Sequence, residues 1–249
     1  MSCRNRRTLA FPGPDSTIVA ADLPDLRMSF SGKRIWIIGA SAGIGEALAL
    51  ALAADGAKLI LSARDEAALS ELARKCTGAQ VLPLDLGKAD SLASAVAALS
   101  ANSLDAVICT AALYDPAKVA DLDPARTEML VRVNLLGTLD VARLAPPLLR
   151  DGGQLVLFGS VAGYIGLPGG QAYSATKAAV NNLAESLRVE LAPRIDVRLV
   201  CPGFVKSRLT EKNNFRMPAI IDAWFSSSEK MMQPGRILPK VASVASLEM

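Results

Sequence analysis

The chain has 249 residues, a net charge of +3 and 51% apolar residues, so it can form one large α/β domain with a sizeable core. It has no long basic run interleaved with aromatic residues, so we expect no nucleic-acid partner. It also contains no histidine, the commonest general base and metal ligand, so we expect no metal site and proton transfer by Tyr, Lys, Ser, Asp, Glu or Cys.

The cysteines and the hydropathy pattern indicate a cytoplasmic protein. Cys3, Cys76, Cys109 and Cys201 lack the spacing of metal ligands, which predicts reduced thiols, partly buried in strands. No apolar run is long enough to span a bilayer, so we expect no membrane partner. Residues 1–27 lack a regular pattern and are predicted to be a disordered or loosely attached extension of a single domain, residues 28–249.

The first regular unit is a strand, a glycine-rich turn and a helix. Residues 34–38 predict a buried strand, and residues 46–54 predict a helix rich in alanine and leucine. Glycines between them permit a tight turn, and the helix N-terminus offers free N–H groups to a pyrophosphate. The glycine spacing differs from G-x-G-x-x-G, and an ordinary strand–helix loop is the alternative. The candidate cofactor-binding residues of this turn are Gly39, Ser41, Gly43, Ile44 and Gly45.

The second predicted strand, residues 58–62, is not followed by the acidic residue that holds the ribose of NAD in dinucleotide folds. Ala63 leaves room after the strand, and Arg64 can pair with a 2′-phosphate through a charge-assisted fork. We therefore expect NADP(H) as the cofactor in preference to NAD. A solvated loop charge is the alternative interpretation of Arg64. Asp65 is predicted to cap the next helix.

Helices and strands alternate along the rest of the chain. The predicted helices are residues 66–76, 89–101, 126–149 and 171–191, and the further strands are residues 80–84, 104–109, 154–158 and 196–200. Six strands alternating with helices predict a Rossmann-like, doubly wound parallel sheet in a single domain with three α/β/α layers. Ligands bind beyond the carboxyl ends of such strands, where the turn 39–45, Arg64, Asp85, Thr110 and Ser160 all fall.

Tyr173 and Lys177 lie four residues apart in the last predicted helix, so they share one face of it. A free tyrosine has a pKa of about 10, and a nearby cation favours the phenolate and lowers that pKa. The pair is therefore a candidate acid/base unit. A solvated helix face is the alternative when the pair is considered alone.

In this order and context, the motifs resemble those of the short-chain dehydrogenase/reductase family. The run from Gly39 to Gly45 resembles the family's cofactor turn, and the run from Tyr173 to Lys177 resembles its active-site helix. Ser160 lies thirteen residues before Tyr173, as the family's catalytic serine does. Asn134 falls where the family keeps an asparagine, and residues 202–207 resemble its Pro-Gly segment beside the nicotinamide. The resemblance covers about residues 32–207.

The resemblance implies a role for each of four catalytic residues. Tyr173 would exchange a proton at the substrate oxygen, and Lys177 would lower the pKa of that phenol and bind the nicotinamide ribose. Ser160 would hydrogen-bond the substrate oxygen, and Asn134 would position a proton-relay water. Besides these residues and those already named, the implied cofactor contacts are Asp85, Leu86, Ala111, Pro202, Gly203, Val205 and Ser207.

Structural alternatives stay open for several of these positions. Ser160 could be a loop hydroxyl, Asn134 a satisfied buried amide, and Asp85 a helix or loop cap. The chain also departs from the family pattern, because residues 109–112 replace the usual Asn-Asn-Ala-Gly and leave the side-chain contact of Thr110 open. Ile38 and Ser207 each stand where threonine is usual.

The resemblance implies an NADP(H)-dependent oxidoreductase that acts on a small-molecule carbonyl or secondary alcohol. A catalytically silent dinucleotide-binding sensor or scaffold is the alternative, and a sugar-nucleotide epimerase or dehydratase is disfavoured by the glycine spacing. We expect residues 207–230 to form a substrate lid, and substrate selectivity to lie in residues 208–225 and in loops 114–118 and 164–171. The helices predicted at 126–149 and 171–191 could pair across a two-fold axis, which favours a homodimer.

Overall fold

The computed structural model describes residues 29–203, which form one parallel sheet with helices on both faces. The strands are β1 (Arg34–Ile38), β2 (Lys58–Ser62), β3 (Gln80–Val81), β4 (Leu104–Cys109), β5 (Leu149–Phe158) and β6 (Ile195–Val200). The helices are α1 (Gly43–Ala54), α2 (Glu66–Lys75), α3 (Ala89–Ala97), α4 (Pro124–Val131), α5 (Gly137–Leu144) and α6 (Gln171–Glu190). The expected extension 1–27, the expected lid 207–230, and Val205 and Ser207 lie outside the described residues.

The strands lie in the order β3-β2-β1-β4-β5-β6, and every neighbouring pair is parallel. In the middle of the sheet, Trp36 of β1 pairs with Ile60 of β2 on one side and with Val107 of β4 on the other. The chain reverses its direction of winding between β1 and β4, and ligands bind at this switch point in open α/β sheets. The prediction of a doubly wound parallel sheet is confirmed.

Successive side chains of the central strands pack into two different helical layers, which explains why these strands are apolar throughout. Trp36 and Ile38 face a cluster with residues of α3, α5 and α6, whereas Ile35 and Ile37 face a cluster with residues of α1 and α2. Trp36 is fully buried, and its indole N–H donates to the Ser62 hydroxyl at 2.8 Å. The three-layer arrangement predicted from the alternation is therefore present.

The single helix predicted at residues 126–149 is wrong, because the segment is divided into several pieces. It starts earlier, at Pro124, since the Asp123 carboxylate caps the backbone N–H of Arg126 at 2.9 Å and proline suits the first helical turn. A π-helical turn, Arg132–Leu136, separates α4 from α5. Regular helix ends at Leu144, two residues before the Pro146-Pro147 pair that cannot donate backbone hydrogen bonds.

Several other predicted boundaries also need correction. β3 ends at Val81 and not at residue 84, although the backbone N–H groups of Leu82 and Leu84 still donate to the carbonyls of Leu61 and Ala63. β5 begins at Leu149 and not at residue 154, with a register shift opposite Leu104 and Ala106. Helix α3 stops at Ala97, four residues before its predicted end, and α1 starts three residues early, inside the glycine turn.

Three cysteines lie among the described residues, and all are free thiols. Cys76 and Cys109 are buried, and burial raises the pKa of Cys109 to about 11. Cys201 is half-buried, while Cys3 lies outside the described part of the chain. Within residues 29–203, no helix is both long enough and apolar enough to cross a membrane.

Candidate active site

Glycine is required at both ends of the turn that follows β1. Gly39 has φ of +96°, and a Cβ there would lie 2.5 Å from the backbone nitrogen of Ala111. At Gly45 a Cβ would lie 2.1 Å from the carbonyl oxygen of Gly39, so only glycine lets α1 start directly above the end of β1. Gly43 also has a positive φ, +56°. The turn is thus packed against the end of β4 as well as against itself.

Thr110 braces this turn, a role that sequence analysis left open. Its hydroxyl oxygen lies 3.1 Å from the carbonyl oxygens of both Ile38 and Gly39. Its backbone N–H also donates to Ile38 at 2.8 Å. The sequence showed only that a hydroxyl follows a central strand. It did not show that this hydroxyl contacts carbonyl groups of β1 and of the glycine turn.

The N-terminus of α1 is suited to an anion. Its first residue, Gly43, follows Ala42, which offers no side-chain cap to the first backbone N–H groups. Uncapped N–H groups and the positive end of the helix dipole favour a phosphate at this position. Ser41 and Ile44 are half-buried beside these groups, and Gly45 is buried. The donor set therefore fits a diphosphate, while cofactor binding by this turn stays a prediction.

Arg64 lies at the carboxyl end of β2, on the same edge of the sheet as the glycine turn. The side chain is exposed, and no carboxylate among residues 29–203 lies within salt-bridge distance of it. Asp65 does not pair with Arg64, because its carboxylate accepts the Ala68 backbone N–H at 3.0 Å and caps α2 as predicted. The guanidinium is left available for an anionic group at this edge.

The cofactor contacts expected after β3 and β4 have structural partners of their own. The Asp85 carboxylate accepts the Gly87 backbone N–H at 2.9 Å, which is the capping role left open by the sequence. Leu86 is buried against Gly137, where a Cβ would lie 2.9 Å from the Cβ of Leu86. The backbone N–H of Ala111 donates to Ile38 at 3.2 Å. These residues line the edge of the sheet next to the glycine turn.

Ser160, Tyr173 and Lys177 converge at the carboxyl end of β5. Ser160 is buried in extended conformation and starts a short 3₁₀ turn, with its hydroxyl accepting the Ala162 backbone N–H at 3.1 Å. The Ser160 side chain lies beside the Tyr173 phenol, close enough to affect its pKa. Lys177 is buried, its ammonium lies 5.8 Å from the centroid of the Tyr173 ring, and it donates to the Phe158 carbonyl at 2.7 Å. The geometry brings together the three groups singled out in the sequence.

Burial dominates the pKa values of this cluster. It lowers the pKa of Lys177 to about 8, while the neighbouring Cys109 and Cys201 sulfurs act in the opposite direction. Burial raises the pKa of Tyr173, and the neighbouring Ser160 side chain partly offsets this increase. The net shift of the Tyr173 pKa is therefore upward, and the lowering expected from Lys177 stays a prediction. The Lys177 ammonium donates to the Phe158 carbonyl, and desolvation is the largest effect on the pKa of the phenol.

Asn134 lies in the π-helical turn and is fully buried. Its amide oxygen accepts the Leu113 backbone N–H at 2.7 Å, and its amide nitrogen donates to the Leu113 carbonyl at 2.8 Å and to the Thr176 hydroxyl at 3.3 Å. This side chain ties the loop after β4 to helix α6. The amide of Asn134 is therefore hydrogen-bonded through both its oxygen and its nitrogen, as in the structural alternative for this residue. The π turn that carries it is of a kind that is frequent at functional sites.

Tyr114 contacts the candidate acid/base residue, a contact that sequence analysis did not identify. Its ring meets the Tyr173 ring edge to face, with centroids 5.0 Å apart and an interplanar angle of 74°. The loop that carries Tyr114 is joined to the loop before α6 by a 2.9 Å hydrogen bond from Ala117 to Gly169. Together these loops form one wall beside Tyr173. The sequence offered one indication of this contact, because Tyr114 is an aromatic residue in a loop that we expect to determine substrate selectivity.

The remaining predicted contacts lie at the end of β6 or outside the described residues. Pro202 and Gly203 are half-buried, and the Pro202 carbonyl accepts the Val161 backbone N–H at 3.1 Å beside Ser160. Among residues 29–203, no three Asp, Glu or Cys side chains are grouped so that they could hold a metal ion.

Comparisons with known proteins agree with this fold. A family model described as short chain dehydrogenase matches residues 33–217. An uncharacterized oxidoreductase of Myxococcus xanthus (strain DK1622) is 36% identical over 196 residues, covering 75% of this chain and 77% of that protein. The crystal structure of BdcA in complex with NADPH has a TM-score of 0.69 and 26% identity over 79% of each chain. A short chain dehydrogenase from Burkholderia cenocepacia J2315 in complex with NADP has a TM-score of 0.69 and 28% identity, covering 81% of this chain and 86% of that chain.

The fold and the family match define a nucleotide-binding oxidoreductase. The chain belongs to the short-chain dehydrogenase/reductase family, whose members act on small-molecule substrates. The family predicted from the sequence is thereby confirmed.

Proposed function

We propose that the protein is an NADP(H)-dependent oxidoreductase that interconverts a carbonyl compound and a secondary alcohol, with Tyr173 as the acid/base. The observation that carries this proposal is the convergence of phenol, hydroxyl and ammonium at the end of β5. These groups lie at the same edge of the sheet as the glycine turn that fits a diphosphate. The bound nicotinamide cofactor supplies the hydride in this reaction.

Each residue of the cluster has a task in carbonyl reduction. The hydroxyl of Ser160 and the phenol of Tyr173 hydrogen-bond the substrate oxygen, which gains negative charge as the carbonyl carbon is reduced. Tyr173 donates its proton to that oxygen, and its raised pKa keeps the phenol protonated at neutral pH. Lys177 stays cationic below its pKa of about 8 and stabilises the phenolate that proton donation leaves. Alcohol oxidation uses the same groups in reverse.

Asn134 serves this arrangement by fixing the loop that carries Tyr114 against helix α6, which carries Tyr173 and Lys177. We also propose that Asn134 positions a proton-relay water. Asp85, Leu86, Ala111, Pro202, Gly203, Val205 and Ser207 complete the proposed cofactor site.

The preference for NADP(H) over NAD(H) is supported by the exposed Arg64 at the end of β2 and by the small Ala63 before it. A guanidinium makes charge-assisted, bidentate hydrogen bonds to a phosphate. Two structural relatives were solved with NADPH or NADP. A cytoplasmic location and a homodimer belong to the same proposal.

The direct test is turnover of NADPH with a broad panel of aldehydes and ketones, monitored by the loss of NADPH absorbance. We expect at least one substrate whose turnover falls by about 10²- to 10⁴-fold in Tyr173→Phe, because that variant lacks the proton donor. Ser160→Ala is expected to lower turnover as well, with cofactor affinity maintained in both variants. Binding of NADPH without turnover of any substrate would support the sensor or scaffold alternative and contradict the proposal.

A further inference from the structure

Asn181 lies on α6 one helical turn beyond Lys177 and is buried, with a relative exposure of 5%. Its amide is inserted between the two glycines that flank the Ser160 turn. A Cβ at Gly159 would lie 2.0 Å from the amide oxygen of Asn181, and a Cβ at Gly163 would lie 2.6 Å from the amide nitrogen. Both glycines are needed because this side chain lies against their α-carbons.

The hydrogen bonding of Asn181 is incomplete, which distinguishes it from an ordinary buried amide. Its oxygen accepts the Cys201 thiol at 3.5 Å. Its amide nitrogen is buried and has no hydrogen-bond partner among residues 29–203. A buried donor without a partner lowers stability, so packing of the fold alone would favour an apolar side chain here. Compared with an apolar side chain, asparagine places a polar amide in contact with the Ser160 turn.

The β6 side supports the same turn through backbone hydrogen bonds. The Val200 carbonyl accepts the Gly159 N–H at 2.9 Å, and the Pro202 carbonyl accepts the Val161 N–H at 3.1 Å. The intervening residue, Cys201, is the thiol bonded to Asn181. The turn is thus fixed from the β6 side by backbone and from the α6 side by Asn181.

We propose that Asn181 is a positioning residue, which sets the orientation of the Ser160 hydroxyl toward Tyr173 by filling the space between Gly159 and Gly163. This proposal rests on the proposed function, since it assumes that Ser160 contacts the substrate. Asn181 itself lies behind the turn, in contact with Gly159 and Gly163, and acts only through it.

The test compares Asn181→Ala with Asn182→Ala, because Asn182 is the exposed neighbour on the same helix. Misplacement of a reacting group by about 1 Å can cost 10²-fold. We expect Asn181→Ala to lower kcat by about 10- to 100-fold while the Kd for NADPH changes less than about twofold. Asn182→Ala should leave both values unchanged. A wild-type kcat in Asn181→Ala, with Ser160→Ala impaired, would overturn the inference and leave the proposed function intact.

A double-mutant cycle with Gly159→Ala tests the contact itself. Gly159→Ala alone is expected to be strongly impaired, because its new methyl group would lie 2.0 Å from the Asn181 oxygen and 2.9 Å from the Cys201 sulfur. The same substitution should cost less in the Asn181→Ala background, since the closer of these two collisions is relieved. Additive effects of the two substitutions on kcat would contradict the proposed contact.

Amide hydrogen exchange gives a readout that does not depend on turnover. We expect the amides of Val161 and Ala162 to exchange at least about tenfold faster in Asn181→Ala than in wild type, with the amides of the central strands unchanged. Unchanged protection of these two amides would overturn the inference whatever the activity. Faster exchange in a protein without any turnover would uphold the positioning of the turn and refute the proposed function separately.

Discussion

At the scale of single residues, Lys177 combines a buried ammonium with one strong hydrogen bond, to the Phe158 carbonyl. Burial lowers its pKa to about 8 from 10.5. The charged form is therefore less stable in the folded protein than in the unfolded chain. An apolar residue of similar size would avoid that cost, so the lysine is maintained at the expense of stability, as is usual for groups that serve chemistry.

Lys177→Met should be more stable than the wild type at pH 7, and this advantage should shrink as the pH rises. Below pH 8 both states of the wild type carry the proton, so the burial cost is fully present. Between pH 8 and 10.5 the unfolded chain binds more protons, so the free energy of unfolding of the wild type rises relative to the variant. The difference changes by at most about 1.4 kcal/mol per pH unit.

Urea unfolding of both proteins at pH 7 and pH 9.5 checks this prediction. Lys58→Met is the control, because that lysine side chain is exposed in β2. A stability difference between wild type and Lys177→Met that stays constant or grows with pH would show that the pKa of Lys177 is not lowered.

Arg64→Ala tests the proposed cofactor preference. Loss of charge-assisted hydrogen bonds to a 2′-phosphate costs about 1.5–3 kcal/mol, so the Kd for NADPH should rise by about 10- to 100-fold. The Kd for NADH should be unchanged, because NADH lacks that phosphate. Calorimetric titration of both cofactors measures this, and Arg74→Ala, another exposed arginine, is the control. Equal weakening of NADPH and NADH binding would exclude Arg64 as a phosphate contact.

At the scale of elements, the turn from β1 into α1 is fixed by backbone proximity, with Thr110 bridging it to β4. The sequence was sufficient to predict the glycine turn, the strand before it and the helix after it. The Thr110 contact could not be predicted, because it joins groups that are about seventy residues apart in the chain. The π turn at Asn134 could not be predicted from the sequence either, because its residues fit ordinary helical periodicity and only tertiary contacts favour the wider turn.

Gly45→Ala should impair both the turn and cofactor binding. The new methyl group would lie 2.1 Å from the Gly39 carbonyl oxygen, which is backbone and cannot move away easily. Overpacking of this kind costs about 1–3 kcal/mol, and the displaced N–H groups should weaken NADPH binding by at least about tenfold. Thermal unfolding and calorimetry measure the two effects. Gly166→Ala, where a Cβ meets nothing within 4 Å, is the control. Wild-type NADPH affinity in Gly45→Ala would contradict the assignment of this turn.

At the scale of the whole molecule, the alternation of apolar strands and helices was enough to predict the sheet, its parallel strands and the edge that carries the site. Periodicity could not place the ends of the elements, because these depend on particular residues. Pro146 follows the end of α5 and begins a short 3₁₀ turn, and Asp123 starts α4 early. The direction of the Tyr173 pKa shift was also beyond the sequence, since it depends on how deeply the phenol is buried.

We expect exposed apolar residues of the π turn and α5 to lie in the interface of the proposed homodimer. Leu136 and Leu139 are three residues apart and each is about two-fifths exposed, at 41% and 39%. We expect light scattering to give a dimer for the wild type and a monomer for Leu136→Lys/Leu139→Lys, because two charges cannot be buried in an apolar interface. Val119→Lys, at an exposed residue of another segment, should remain dimeric. A monomeric wild type would refute the homodimer.

The central claim is hydride transfer to a carbonyl carbon with Tyr173 supplying the proton, and isotope transfer tests it most directly. NADPH carrying deuterium at the transferring position is incubated with the protein and a carbonyl substrate, and the alcohol is analysed by mass spectrometry. We predict one deuterium on the former carbonyl carbon with the wild type, and a rate of its appearance about 10²- to 10⁴-fold lower with Tyr173→Phe. Alcohol without deuterium, or equal rates of labelling with the two proteins, would contradict the account.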